Sequence, residues 1–322
     1  MSMFRRPSTK RVGLKVLVTG QTGSGKSVFG LSFPKIVALD SEAGLSLYEG
    51  GVYGANIEHI ANTMSVADLE EAVDEVAEMV EDDPKSVETL IIDSETKFYQ
   101  NLQHSALEVE EKRARRKGGE IMDTNLSVRS WGRIKQISTK LQNLKIDLSA
   151  KGINIISVSQ VEDVKEKKGE AFIKTGERPN MAKNASYDYD IIINMFNEVI
   201  NGEVVYKGEI KKDRTGVTKV GQIIDNPSYL IWKSHQEGRK GADKIESNLV
   251  QDMSKDMNSL EKEDLEKEKS IVEKLKEVMA KSPEHQAKAV ALIQEKKIKN
   301  PLQPTASELK ALEEIIAIVG AE

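Results

Sequence analysis

Residues Gly20-Gln21-Thr22-Gly23-Ser24-Gly25-Lys26-Ser27 read G-x-x-x-x-G-K-S, the spacing of a phosphate-binding P-loop. The preceding run, Leu14-Lys15-Val16-Leu17-Val18-Thr19, is apolar and β-branched and predicts a buried strand. The following run, Val28-Phe29-Gly30-Leu31, predicts the opening of a helix. Strand, glycine-rich loop and helix N-terminus together make an anion cradle, in which backbone N–H groups and the helix dipole face phosphate oxygens. The backbone from Gly20 through Gln21, Thr22, Gly23, Ser24 and Gly25 to Val28 would surround the phosphates of a nucleoside triphosphate. Lys26 would reach the β- and γ-phosphates, and the Ser27 hydroxyl would hold Mg²⁺.

Outward from the loop, strand-like and helix-like segments alternate. Ile36-Val37-Ala38-Leu39 is a short apolar run ending in Asp40. Ser65-Val66-Ala67-Asp68 is a capping box that opens an amphipathic helix to about Glu81. Thr89-Leu90-Ile91-Ile92 predicts a strand ending in Asp93, and a polar helix follows to about Lys117. A second long helix spans about Leu126 to Ala150, with Trp131, Ile134, Ile137, Leu141, Leu144 and Leu148 at helical spacing. Ile153-Asn154-Ile155-Ile156-Ser157-Val158 reads as another buried strand. This order predicts a parallel sheet with crossover helices. Residues 161–185 are basic and contain glycine, with little periodicity. Asn201-Gly202 between apolar runs is a hairpin signal, so the last strands, with Ile223-Ile224 as a further one, are expected to be antiparallel.

Residues 237–265 are polar and charged, a linker or a solvated helix. Three amphipathic patterns follow within 266–322, the second opened by Ser282-Pro283 and the third by the capping box Thr305-Ala306-Ser307-Glu308. The expected organisation is a basic N-terminal tail (1–11), an α/β ATPase core (12–236), the charged segment (237–265) and a small helical module (266–322).

Composition narrows the chemistry. The 322 residues include no cysteine, which excludes disulfides, zinc–thiolate sites and thiol nucleophiles and fits a reducing compartment. No apolar stretch approaches membrane-spanning length, and no apolar signal region follows the basic N-terminus, so a cytoplasmic protein is expected. The net charge of −5 does not describe a general nucleic-acid binder, although local basic loops outweigh the sum. His59, His104, His235 and His285 show no metal-ligand spacing, and Trp131 and Trp232 read as core residues. There is no nucleophile elbow, no guanine-reading N-K-x-D and no kinase signature set.

Asp93 stands where a strand-end carboxylate positions Mg²⁺. Hydrolysis also needs a group that orients or deprotonates water at the γ-phosphate. Glu42 and Glu95 both lie at strand C-terminal ends, and spacing alone does not choose between them.

The order of the P-loop, Leu39-Asp40-Ser41-Glu42, Ile91-Ile92-Asp93-Ser94 and Ser159-Gln160 resembles the RecA-like recombinase core, and more narrowly the phage-encoded RecA-like ATPases described as nucleotide-binding or single-strand annealing proteins. The resemblance covers about residues 12–230. It implies that Glu42 activates water and that Gln160 senses the γ-phosphate. Lys211-Lys212-Asp213-Arg214-Thr215-Gly216 resembles the K-N-R segment of RadA-like relatives, with Asp213 in place of asparagine, and implies Lys212 and Arg214 as fingers reaching a neighbouring subunit's ATP; otherwise the segment is a charged turn. Tyr48 follows Glu42 at a spacing that would suit adenine stacking, or it is a core or surface tyrosine. Two basic stretches match the family's DNA-binding loops: Arg113, Arg115, Arg116 and Lys117, then Lys165, Lys167, Lys168, Lys174, Arg178 and Lys183, with Phe172 as the main stacking aromatic. Their alternative reading is solvated loops. The resemblance thus implies an oligomeric or filamentous Mg²⁺-dependent ATPase on single-stranded DNA in a phage-infected bacterial cell. The C-terminal helices would dock a single-strand-binding protein or a helicase. Loading or driving a partner protein, and a non-catalytic nucleotide switch, are the alternatives.

Overall fold

The computed structural model describes residues 9–116, 125–168, 171–239, 242, 247 and 249–320. The chain divides into two compact units, 1–250 and 251–322.

The first unit is built on an eight-stranded sheet. Its strands are β1 (Lys15–Gly20), β2 (Ile36–Asp40), β3 (Ile57–Asn62), β4 (Thr89–Asp93), β5 (Asn154–Ser159), β8 (Ile191–Ile200), β9 (Glu203–Asp213) and β10 (Ile223–Asp225), in the order β10-β9-β8-β1-β5-β4-β2-β3. All pairings from β8 to β3 are parallel, and β9 and β10 are antiparallel. This is an α/β P-loop core: a mostly parallel sheet, helices on both faces and antiparallel final strands. The central strands are buried on both faces, hence their continuous apolar runs. On one face, α1 (Lys26–Leu31) and α5 (Leu230–Glu237) bring Phe29, Leu31 and Trp232 onto Val16, Val18, Ile156 and Ile193. On the other, α2 (Val66–Asp82), α3 (Glu95–Arg116) and α4 (Val128–Ala150) cover Leu39, Leu90, Ile92 and Ile155. Ser65 caps α2 by accepting from the Asp68 N–H at 3.3 Å. At the β8–β9 turn Asn201 and Gly202 have φ +54° and +86°, the geometry the Asn-Gly pair favours.

Three readings are corrected. Residues 161–168 and 171–179, read as loop with little periodicity, form the antiparallel pair β6 (Val161–Lys168) and β7 (Ala171–Pro179). Among its described residues there is no buried apolar face, so it shows no alternation; charge pairs of Lys174 with Asp163 and Arg178 with Glu162 cross it instead. Edge strand β3 was not foreseen, because only Ile57 and Ile60 are partly buried. Trp131 is not a core residue: it is 45% exposed near the start of α4, whereas Trp232 is fully buried.

In the second unit, one helix, α6 (Leu249–Ala280), runs through the charged segment and into the first apolar pattern, so the expected boundary at 265 falls inside a helix. The helices α7 (Pro283–Glu295) and α8 (Ala306–Gly320) complete a core of Leu275, Ala289, Ile293, Leu312, Ile315 and Val319. Among the described residues no helix is long and apolar enough to cross a membrane.

Candidate nucleotide-binding site

The P-loop leaves the C-terminal end of β1 between neighbours that leave no spare room. A Cβ at Gly20, where φ is +145°, would stand 2.2 Å from the Met195 carbonyl oxygen of β8. Gly25 precedes α1 with φ +85°, and a Cβ there would meet the Tyr206 ring at 2.7 Å. The Asn197 side chain donates to the Gly23 carbonyl at 3.0 Å and ties the loop to β8. The Ser24 hydroxyl is buried in this loop with no hydrogen-bond partner, an orphan that a phosphate oxygen would satisfy.

Lys26 Nζ donates to the carbonyls of Gly20 and Gln21 at 3.0 and 2.8 Å, over the loop mouth. Burial lowers its pKa, opposed by Asp93 and Glu42. Ser27 Oγ donates to Asp93 Oδ2 at 2.6 Å across 66 positions of sequence. Burial, with the charges of Asp40 and Glu42, raises Asp93 to about 6, against the Ser27 hydrogen bond and Lys26. A hydroxyl and a carboxylate are hard oxygen donors that suit Mg²⁺, and a divalent ion would relieve the crowding of three carboxylates. The described residues contain no cluster of three His, Cys, Asp or Glu placed to hold a metal by themselves.

Glu42 is positioned by serines and an aspartate that sequence reasoning did not single out. Parallel register aligns Asp40 with Asp93, and Asp93 with Val158, so three strand ends open onto one edge. Buried Asp40 accepts from the backbone N–H groups of Glu42 and Leu45 at 3.1 and 2.7 Å and shapes the turn. Ser41 Oγ donates to the Asp93 carbonyl at 3.1 Å and accepts from Ser94 N at 2.8 Å. Glu42 Oε1 then receives Ser94 Oγ and Gln160 Nε2, both at 3.3 Å. A cleft of about 520 Å³ opens beside Glu42, lined also by Lys97, Gln100 and His104. The structure thus brings Lys26, Ser27, Glu42, Asp93 and Gln160 to one edge. Glu95 is turned away: its carboxylate pairs with buried Lys145 at 2.5 Å and accepts from Gln142 at 3.2 Å.

Lys212 and Arg214 are not at the P-loop. Lys212 pairs with Ile192, itself level with Leu17, and donates to the Tyr187 carbonyl at 2.9 Å. Arg214 lies 3.5 Å from Asp190, which also holds Lys15 at 2.7 Å. Asp213 accepts from Thr215, Thr218 and the Trp232 indole, which explains a carboxylate at that position. A cleft of about 340 Å³ beside Gly25 and Val28 is lined by Val52, Tyr53, Tyr206, Asn226 and Pro227. Tyr48 is not among these; its ring stands edge-on to Tyr53 at 6.0 Å. Their shared position around the P-loop had no signal in the sequence.

Of the basic stretches, Arg113, Arg115 and Arg116 end α3 and are exposed, with Arg113 3.3 Å from Glu110; Lys117 lies outside the described residues. Lys165 and Lys167 are exposed on β6; Lys168 ends it, and its side chain is outside the described ones. Lys174 is engaged by Asp163 and Glu177, and Arg178 by Glu162. Lys183 is exposed beyond the hairpin.

A family model described as an AAA domain matches residues 12–228. No curated protein matches the sequence. Among solved structures, a KaiC-like protein from the hyperthermophilic archaeon Pyrococcus horikoshii is 17% identical, with 67% of this chain and 90% of that one covered and a TM-score of 0.38. The RadB recombinase is 12% identical, with 67% and 87% covered and a TM-score of 0.41. Neither likeness bears on activity.

Proposed function

We propose that this chain, which belongs to the AAA domain family, is a Mg²⁺-dependent ATP hydrolase that acts on single-stranded DNA as an oligomer. The observation that carries the reading is the convergence of Ser27 on Asp93 at 2.6 Å with Glu42 held by Ser94 and Gln160 at the same sheet edge. The P-loop amides and Lys26 bind the triphosphate. Mg²⁺, held by Ser27 and Asp93, would neutralise charge developing on the phosphates. Glu42 orients a water and accepts its proton as the water oxygen bonds to the γ-phosphorus and the bond to the bridging oxygen breaks, releasing ADP. Gln160 Nε2 stays on Glu42 Oε1, so movement of the β6–β7 hairpin, which begins at the next residue, is coupled to the base. Lys212 and Arg214, remote from their own P-loop, serve a neighbouring subunit's ATP. The DNA work is annealing or strand exchange, the outcome the phage-family resemblance implies.

The test is ATP hydrolysis with and without single-stranded DNA across protein concentrations, with Lys26→Ala as the blank. The expected result is stimulation by DNA and a rate per subunit that rises with concentration. Background hydrolysis by a protein that still binds ATP would leave a nucleotide switch. Robust hydrolysis indifferent to DNA would redirect the reading to a protein partner of the C-terminal helices.

A further inference from the structure

The half-exposed Trp131 stands in a groove. About 790 Å³ of space lies between α4 and residues 182–188, the segment that leads into β8. Trp131 lines one wall and Tyr187, 71% exposed, the other, while Ile134 is buried beneath. The Tyr187 backbone is fixed by the Lys212 ammonium on its carbonyl. Lys135 stands on the Trp131 wall and Lys183 on the Tyr187 wall. Among the described residues the one acidic lining residue, Asp188, also faces Lys212, where it offsets that lysine's other cationic neighbours. Asn143 and Asn184 add amides that can meet base edges.

We propose that this groove is a base-stacking site for single-stranded DNA, with Trp131 and Tyr187 as platforms and Lys135 and Lys183 on the phosphates. Two large aromatic faces left open to water, flanked by more cations than anions, are what a strand without sequence preference requires. The structure supports the placement: Ser127 and Ser130, at the start of α4 beside Trp131, both donate to Glu110 in the last turns of α3, whose end carries Arg113, Arg115 and Arg116. A strand engaged by those arginines therefore meets the groove at Trp131. This site rests on the single-stranded DNA reading above and adds where the bases go.

The chain carries its own probe. It has two tryptophans, and Trp232 is fully buried. A change in indole emission when DNA binds the full chain therefore reports on Trp131. Oligo(dT) is compared with an abasic strand of equal length, with affinity read separately by anisotropy of a labelled strand. Oligo(dT) is expected to quench the emission and the abasic strand to leave it unchanged. Trp131→Ala and Tyr187→Ala are each expected to weaken oligo(dT) at least about fivefold and the abasic strand hardly at all. Lys135→Gln is expected to weaken both strands alike and to reduce the salt dependence. If an alanine variant folds poorly, Trp131→Phe tests the same contact, since the quench must vanish with the indole; a quench that persists overturns the site. Oligo(dT) bound without quenching, and with unchanged affinity in both aromatic variants, overturns the groove while leaving the DNA reading intact. If neither strand binds, the DNA reading and this site fall together.

Discussion

Replacing the two strand-end glutamates should separate chemistry from stability in opposite directions. Glu95 and Lys145 form an ion pair of 2.5 Å with side chains only 10% and 2% exposed. Glu95→Gln removes the carboxylate and leaves the ammonium with Ser157 and Tyr189 hydroxyls at 3.5 and 3.4 Å. Breaking one side of a buried pair costs about 3–5 kcal/mol. At about 2–4 °C per kcal/mol for a unit of this size, the melting temperature should fall by about 6–20 °C. Adding Lys145→Met removes the second charge and should recover most of that loss. Glu42 is exposed and accepts two hydrogen bonds at 3.3 Å, so Glu42→Gln should move stability by less than about 0.5 kcal/mol. Its turnover should nevertheless fall by a factor of about 10²–10⁴, the usual worth of a positioned base. Calorimetry and steady-state hydrolysis, both run where every variant is folded, measure the two effects. The reasoning is refuted if Glu95→Gln melts with the wild type, or if it abolishes turnover while Glu42→Gln keeps it.

Asp93 gives a pH-dependent stability. Its folded pKa of about 6 lies above the ordinary 3.8, so the folded state binds the proton more tightly than the unfolded chain. Stability contributed by this group is therefore lost as pH rises through that window. Asp93→Asn should be more stable than wild type near neutral pH by up to about 3 kcal/mol, lose that advantage in acid and fail to hydrolyse ATP; denaturant titrations at both pH values check it. Gly20→Ala would place a Cβ 2.2 Å from the Met195 carbonyl oxygen, and nucleotide binding should be lost in a fluorescent-nucleotide titration. Gln160→Ala frees one side of Glu42, so hydrolysis should lose its response to DNA, as paired rates with and without a strand will show. Asp213→Ala strips the Trp232 indole of its acceptor and should cost about 1–3 kcal/mol in chemical denaturation.

Much of the fold was legible because its signals are local. A strand buried on both faces must be continuously apolar, a helix start needs a cap, and a two-residue hairpin favours Asn-Gly. The central strands, the Ser65 cap and the Asn201-Gly202 turn could thus be placed to within a residue or two. Edge strand β3 and hairpin β6–β7 escaped because cross-strand hydrogen bonds and charge pairs hold them without an apolar stripe.

The sequence by itself determined the phosphate cradle, because glycine spacing and a flanking strand and helix fix its geometry within a few residues. Only the tertiary structure decided what surrounds it. Glu42 and Glu95 look alike in the sequence, yet one is held at the open edge by a glutamine 118 positions away and the other is neutralised by a lysine 50 positions away. Trp131 and Trp232 look equally core-like, yet one lines an open groove and the other is sealed beneath α1 and the sheet. The fate of a charge or a ring depends on burial and on partners that arrive from other elements, and parallel register between strands distant in sequence brings them there.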